Sequence, residues 1–148
     1  MNSEPNILLV TSDPSACSHF LKQLGQAGSH SVMSSSAEGA ARMLLAGVAV
    51  DVILIHHQSI SGASLISCAL KVISPLTPVI VVTAEWPENL AFPAGVDAVC
   101  YASSLGRRVA RDITRFARYL LIEQPSQRIE NAAYEGERFV PRKPDCPN

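Results

Sequence analysis

Asp51-Val52-Ile53-Leu54-Ile55-His56-His57 is the stretch on which the fold turns. Its centre is a continuous, mostly β-branched apolar run with no polar alternation. Such a run suits a strand buried on both faces. Ile7-Leu8-Leu9-Val10 and Val79-Ile80-Val81-Val82 are built the same way, and His30-Ser31-Val32-Met33 and Ala98-Val99-Cys100-Tyr101 complete a set of five short runs. Stretches of helical period lie between them. Strands alternating with helices imply an α/β domain, a doubly wound parallel sheet with helices on both faces.

The helix boundaries follow from punctuation. Ser12-Asp13-Pro14 places a capping residue before a first-turn proline, and Cys17, Phe20, Leu21 and Leu24 follow until Gly25 and Gly28 end the helix. A second helix starts near Ser36 and carries Ala40, Ala41, Leu44 and Leu45 before Gly47. A third starts near Ser61-Gly62, carries Leu65, Ile66, Ala69, Leu70 and Ile73, and stops at Pro75. Between the fourth and fifth strands, Glu85 to Pro93 contains two prolines, so at most one helical turn fits there. The last helix spans about Leu105 to Ile122. Beyond it the pattern dissolves, and residues 123–148 read as a flexible tail or linker punctuated by Pro125, Pro141, Pro144 and Pro147. The domain is therefore 1–122.

Composition narrows the function. The 148 residues are 47% hydrophobic and 17% charged, with net charge −1, which is a globular composition and a poor one for general polyanion binding. No apolar run approaches the roughly 20 residues of a membrane span. The opening Met-Asn-Ser-Glu-Pro lacks the basic-then-apolar layout of a signal peptide, so a cytoplasmic location is expected. Cys17, Cys68, Cys100 and Cys146 are scattered, which fits reduced thiols, the first three at core positions, better than a disulfide frame or a zinc site.

Sheets of this kind put their working residues in the loops after the strand C-termini. There the chain resembles the receiver domain of two-component response regulators, over roughly residues 6–122. The matching pieces are Ile7 to Val10 with a short polar loop and Pro14, Asp51 to Ile55, Pro78 to Thr83-Ala84, and Gly95-Val96-Asp97 before the fifth strand. The resemblance implies a flavodoxin-like five-stranded sheet of order 2-1-3-4-5, with the helix after strand four short or missing.

The same alignment implies that the chemistry has gone. A receiver accepts a phosphoryl group on an aspartate at the end of strand three, where this chain has His56. The acid pair that holds Mg²⁺ after strand one is replaced by Thr11 and Ser12, with Asp13 one place late. The lysine after strand five is replaced by Ala102, the hydroxyl after strand four survives as Thr83, and the aromatic switch position is Val99, with Tyr101 close by. Mg²⁺ wants carboxylate oxygens, and phosphoryl transfer needs metal and cation to neutralise developing charge. The expectation is a pseudo-receiver with no catalytic residues, no metal and no cofactor, and hence not an enzyme.

Other readings attach to the same residues. The His56-His57 doublet suits a phosphohistidine, a metal ligand or a pH sensor; the plainer reading is two loop-edge imidazoles filling an emptied site. Thr11, Ser12, His56 and Thr83 around a helix N-terminus suit a small-molecule or cofactor pocket of flavodoxin type, although the first loop has no glycine. Convergence of Ser12, Asp13 and His56 would be needed for a histidine-based hydrolase or transferase.

The last helix is the clearest surface feature. Arg107, Arg108, Arg111, Arg115 and Arg118 stand against one acid, Asp112, so the segment carries +4 while residues 1–104 carry −4 and the tail −1. Arginines at three- and four-residue steps line one side of a helix. With Tyr101 of the fifth strand they form a candidate surface for a protein partner or self-association; with no interleaved aromatics, nucleic acid is a poor fit.

Overall fold

The computed structural model describes residues 4–85, 93–122 and 139–141. Its sheet is formed by β1 (Asn6–Thr11), β2 (His30–Ser34), β3 (Val52–His56), β4 (Val79–Thr83), β5 (Ala98–Tyr101) and β6 (Phe139–Pro141). The first five are parallel in the order 2-1-3-4-5, as expected. Four helices are described: α1 (Pro14–Gln26), α2 (Ala37–Leu45), α3 (Ile60–Ile73) and α4 (Arg107–Ile122).

The unalternated strands bury both faces. Ile7, Leu9, Leu54, Ile80, Val82 and Cys100 join α1 and α4 in one core layer. Leu8, Val10, Ile53, Ile55, Val81 and Val99 join α2 and α3 in the other. Successive side chains on a strand point to opposite faces, so each apolar run feeds both layers. Asp13, Ser36 and Ser59 cap the first three helices, their side chains accepting from the backbone N–H of Ala16, Gly39 and Gly62. Asp97 fastens the loop before β5 by accepting from Val79 N and Lys71 Nζ, both at 2.8 Å.

Several boundaries differ from the expectation. Gly25 lies inside α1, and the chain turns at Gly28, which has φ +101°. Ser59, not Ser61-Gly62, opens α3, and α4 begins at Arg107 rather than Leu105. Cys17 and Cys100 are buried, but Cys68 is exposed. Leu65 and Ala69 also face outward. The reason is that α3 is apolar almost all round, so spacing alone does not select its inner face. That face is Ala63, Ser67 and Leu70, with the Ser67 hydroxyl satisfied by Gly95 O.

The stretch expected to hold one helical turn after β4 falls largely in 86–92, and Cys146 in 142–148, outside the described residues. In the segment read as a flexible tail or linker, β6 pairs antiparallel with β5, Val140 opposite Val99. Its three residues occupy the edge that β5 would otherwise leave open.

Candidate functional site

The C-terminal ends of β1, β3, β4 and β5 gather the residues expected at the pocket. In register, Thr11 lies opposite His56, His56 opposite Val82, and Thr83 opposite Tyr101. The His56-His57 doublet is split between the two faces of the sheet, as strand alternation requires. His56 turns toward α1, where its Nδ1 lies 3.0 Å from Thr11 Oγ1 and 3.4 Å from Cys17 Sγ. His57 turns toward α3, where its Nδ1 accepts from Ser59 N at 3.0 Å and its ring lies against Gly62. A Cβ at Gly62 would meet that ring at 2.2 Å, so the close packing depends on glycine. His57 thus serves the start of a helix, not the pocket.

Thr11 Oγ1 accepts from Asp13 N at 3.0 Å and shares a hydrogen bond with His56 Nδ1, so that contact occupies Nδ1 in either tautomer. Burial holds the His56 pKa below the ordinary histidine value, partly offset by attraction to Asp13, while His57 pushes it lower still. Cys17 is fully buried, and its thiol is pushed up chiefly by desolvation. A thiol held neutral beside a neutral imidazole is not an activated nucleophile.

The remaining pocket positions are occupied by structural work. Asp13 is exposed and accepts from Ser15 Oγ and Ala16 N, which lower its pKa in that order of importance. Ser12 is exposed. Thr83 is buried, its hydroxyl donating to Gln58 O and accepting from Glu85 N. Ala102 is half-buried and donates its N–H to Thr83 O. Tyr101 packs against the α2–α3 core layer, and burial raises its phenol pKa. Among the described residues, no three His, Cys, Asp or Glu side chains gather in a way that could hold a metal ion.

A pH dependence follows from His56. Its folded pKa is depressed, so the unfolded chain binds the extra proton more readily. Stability is therefore full above the ordinary histidine pKa near ~6.5 and is lost as pH falls through the lower folded value. The thermal midpoint of the intact chain is expected to fall more between neutral and mildly acidic pH than that of a His56→Gln variant. Equal slopes for the two would remove His56 as the cause. Asp13 titrates in a lower window and does not confuse the comparison.

The basic helix is placed largely as its spacing implies. Arg107, Arg108, Arg111 and Arg115 are exposed on α4, the first and third of them toward α1. Arg118 continues the row on the side of α1. It is half-buried beside Gly28, where an added Cβ would come 2.3 Å from Arg118 Nη2. Between α1 and α4 lies a cavity of about 350 Å³ lined by Gln23, Gln26, Ala27, Arg107 and Arg111. Sequence reasoning missed this groove; its available signal was that α1 contains no acid to neutralise the arginines facing it.

No family model matches the sequence, and no curated protein does. Solved structures do match. A receiver domain (CheY-like) from Methanospirillum hungatei is 16% identical, with 82% of this chain and 100% of that one covered at a TM-score of 0.66. A two-component response regulator from Clostridium difficile is 14% identical, covering 81% and 100%, also at 0.66. A Burkholderia pseudomallei protein provisionally named for pilus assembly is 21% identical, covering 81% and 93% at 0.65. At these identities the likeness establishes the fold, which is that of a response-regulator receiver domain. No helix among the described residues is long and apolar enough to cross a membrane.

Proposed function

We propose that this chain is a receiver-like signalling module that takes no phosphoryl group and acts by protein contact. The observation that carries the reading is the closed network Asp13 N–Thr11 Oγ1–His56 Nδ1, with Cys17 beside it. An oxygen nucleophile is absent at the end of β3, and the imidazole in its place has Nδ1 engaged by Thr11 and Cys17. The hydroxyl of Thr83 is already committed on both sides. One exposed carboxylate, Asp13, is a weak substitute for the oxygen ligands that Mg²⁺ favours.

The contact surface we assign is the exposed arginine row of α4 with its groove against α1. The edge of β5 is taken by β6, which narrows the expected surface to the helix. The matching partner is a protein with an acidic face, since complementary charge steers encounter and fixes orientation more than it adds affinity.

Incubation with acetyl phosphate and Mg²⁺, followed by intact mass measurement, is expected to leave the mass unchanged. A stoichiometric phosphoryl adduct would overturn the proposal. For the surface, a pull-down with Arg107→Glu/Arg111→Glu is expected to lose acidic partners that the intact chain retains, with unchanged recovery arguing against α4.

A further inference from the structure

The groove between α1 and α4 has Gln23, Gln26 and Ala27 on one wall and Arg107 and Arg111 on the other, with a volume of about 350 Å³. That volume lies at the lower end of the range for small-ligand sites. Its charge is of one sign. α1 contains no acid, and Asp112, the one acid of α4, does not line the groove. Ion pairs among the described residues join His30 to Glu4, Arg42 to Glu38 and Lys71 to Asp97, and none reaches Arg107 or Arg111. Arg118 continues this side toward Gly28, and its Nε is buried with no hydrogen-bond partner among the described residues. Two guanidiniums four residues apart on one helix repel each other, a cost that a bound anion relieves.

We propose that this groove binds a small anion carrying two adjoining phosphoryl groups, a diphosphate. Three features select that chemistry. The first is number. One guanidinium fork satisfies a single carboxylate or orthophosphate, whereas Arg107 and Arg111 present two forks one helical turn apart. The second is the opposite wall. The amides of Gln23 and Gln26 supply N–H donors for phosphoryl oxygens and bring no negative charge. The third is the backbone. Arg107 opens α4, whose first turn holds no acid to cancel the positive end of the helix dipole. The negative end of α1 is covered, because Gln23 O, Leu24 O and Gly25 O accept from the N–H groups of Ala27, Ser29 and Gly28.

The inference deepens the contact surface assigned to α4. A diphosphate seated on Arg107 and Arg111 masks the charge that an acidic partner meets. Only this masking rests on the partner reading; the binding does not.

Isothermal titration calorimetry of the full chain with sodium pyrophosphate, at low salt and without divalent metal, is expected to show one site with a Kd on the order of 100 µM that weakens as salt rises. Orthophosphate, with one group for two forks, is expected to bind at least about tenfold more weakly. Arg107→Gln/Arg111→Gln is expected to weaken pyrophosphate at least about tenfold with unchanged circular dichroism, since both positions are exposed. Arg108→Gln/Arg115→Gln removes the same charge from exposed positions outside the groove and is expected to keep the affinity within about threefold. ADP binding at least as tightly as pyrophosphate assigns the site to a nucleotide, and weaker ADP binding assigns it to the inorganic anion. No pyrophosphate binding up to about 5 mM, equal affinity for orthophosphate, or an equal loss in the two double variants would overturn the proposal. The Arg107→Glu/Arg111→Glu pull-down reads the partner separately, so a chain that loses acidic partners but binds no diphosphate contradicts this inference alone.

Discussion

Replacing Leu54 by alanine is expected to destabilise the protein by about 3–4 kcal/mol and to lower Tm by roughly 10 °C. Leu54 is fully buried at the middle of β3, between Leu9 on β1 and Ile80 on β4. All three feed the core layer under α1 and α4. The loss combines the transfer energy of the deleted methyl groups with the cavity left in a strand that has neighbours on both sides and above. A domain of this size has only about 5–15 kcal/mol in total, so the variant is expected to be partly unfolded well below the Tm of the parent. The control is Leu65→Ala, at an exposed position of similar chemistry, with an expected change within about 0.5 kcal/mol. Urea unfolding of the two variants checks the pair. Similar costs at both sites would contradict the assignment of inner and outer positions.

Gly28→Ala is expected to cost about 2 kcal/mol, an unusual price for adding one methyl group. Gly28 has φ +101°, a conformation that L side chains rarely adopt, and the new Cβ would stand 2.3 Å from Arg118 Nη2. The backbone term dominates, because the end of an arginine can swing away. Gly47 separates the two contributions. It has φ +84° with nothing within 4 Å of an added Cβ, so Gly47→Ala reports backbone strain alone. The excess at Gly28 is the cost of dislodging Arg118, and it is expected to vanish in an Arg118→Ala background. If Gly28→Ala proves no worse than a surface substitution, the turn between α1 and β2 is not as described.

The order of strands was legible because burial on both faces suppresses polar alternation, and β1, β3 and β4 show this without ambiguity. The grouping of residues at the strand ends was legible for a related reason. Thr11, His56, Thr83 and Ala102 sit at strand ends, where spacing along the chain translates directly into position in space. Cys17 was not recognised as a neighbour of His56, 39 residues away, because it reads simply as a core thiol of an amphipathic helix. The division of labour between His56 and His57 was equally hidden, although strand alternation requires adjacent side chains to part. In α3 the pattern failed because apolar residues surround the helix, and a buried serine holds an inner position that sequence reasoning reserves for leucine. Arg118 was grouped with its helical neighbours by spacing, but its half-burial beside Gly28 had no signal in the sequence.

The strand at Phe139–Pro141 was illegible for the opposite reason: three residues among prolines and charges carry no periodicity. Its consequence concerns how the protein behaves when shortened. A chain cut at Ile122 would keep every helix described here, yet would leave one margin of the sheet with its backbone amides and carbonyls facing water. Such a margin is a template for intermolecular stacking and precipitation. Phe139–Pro141 thus act as a hem that keeps the fabric from catching on its neighbours, and trimming them for convenience would trade a neater domain for one prone to clump.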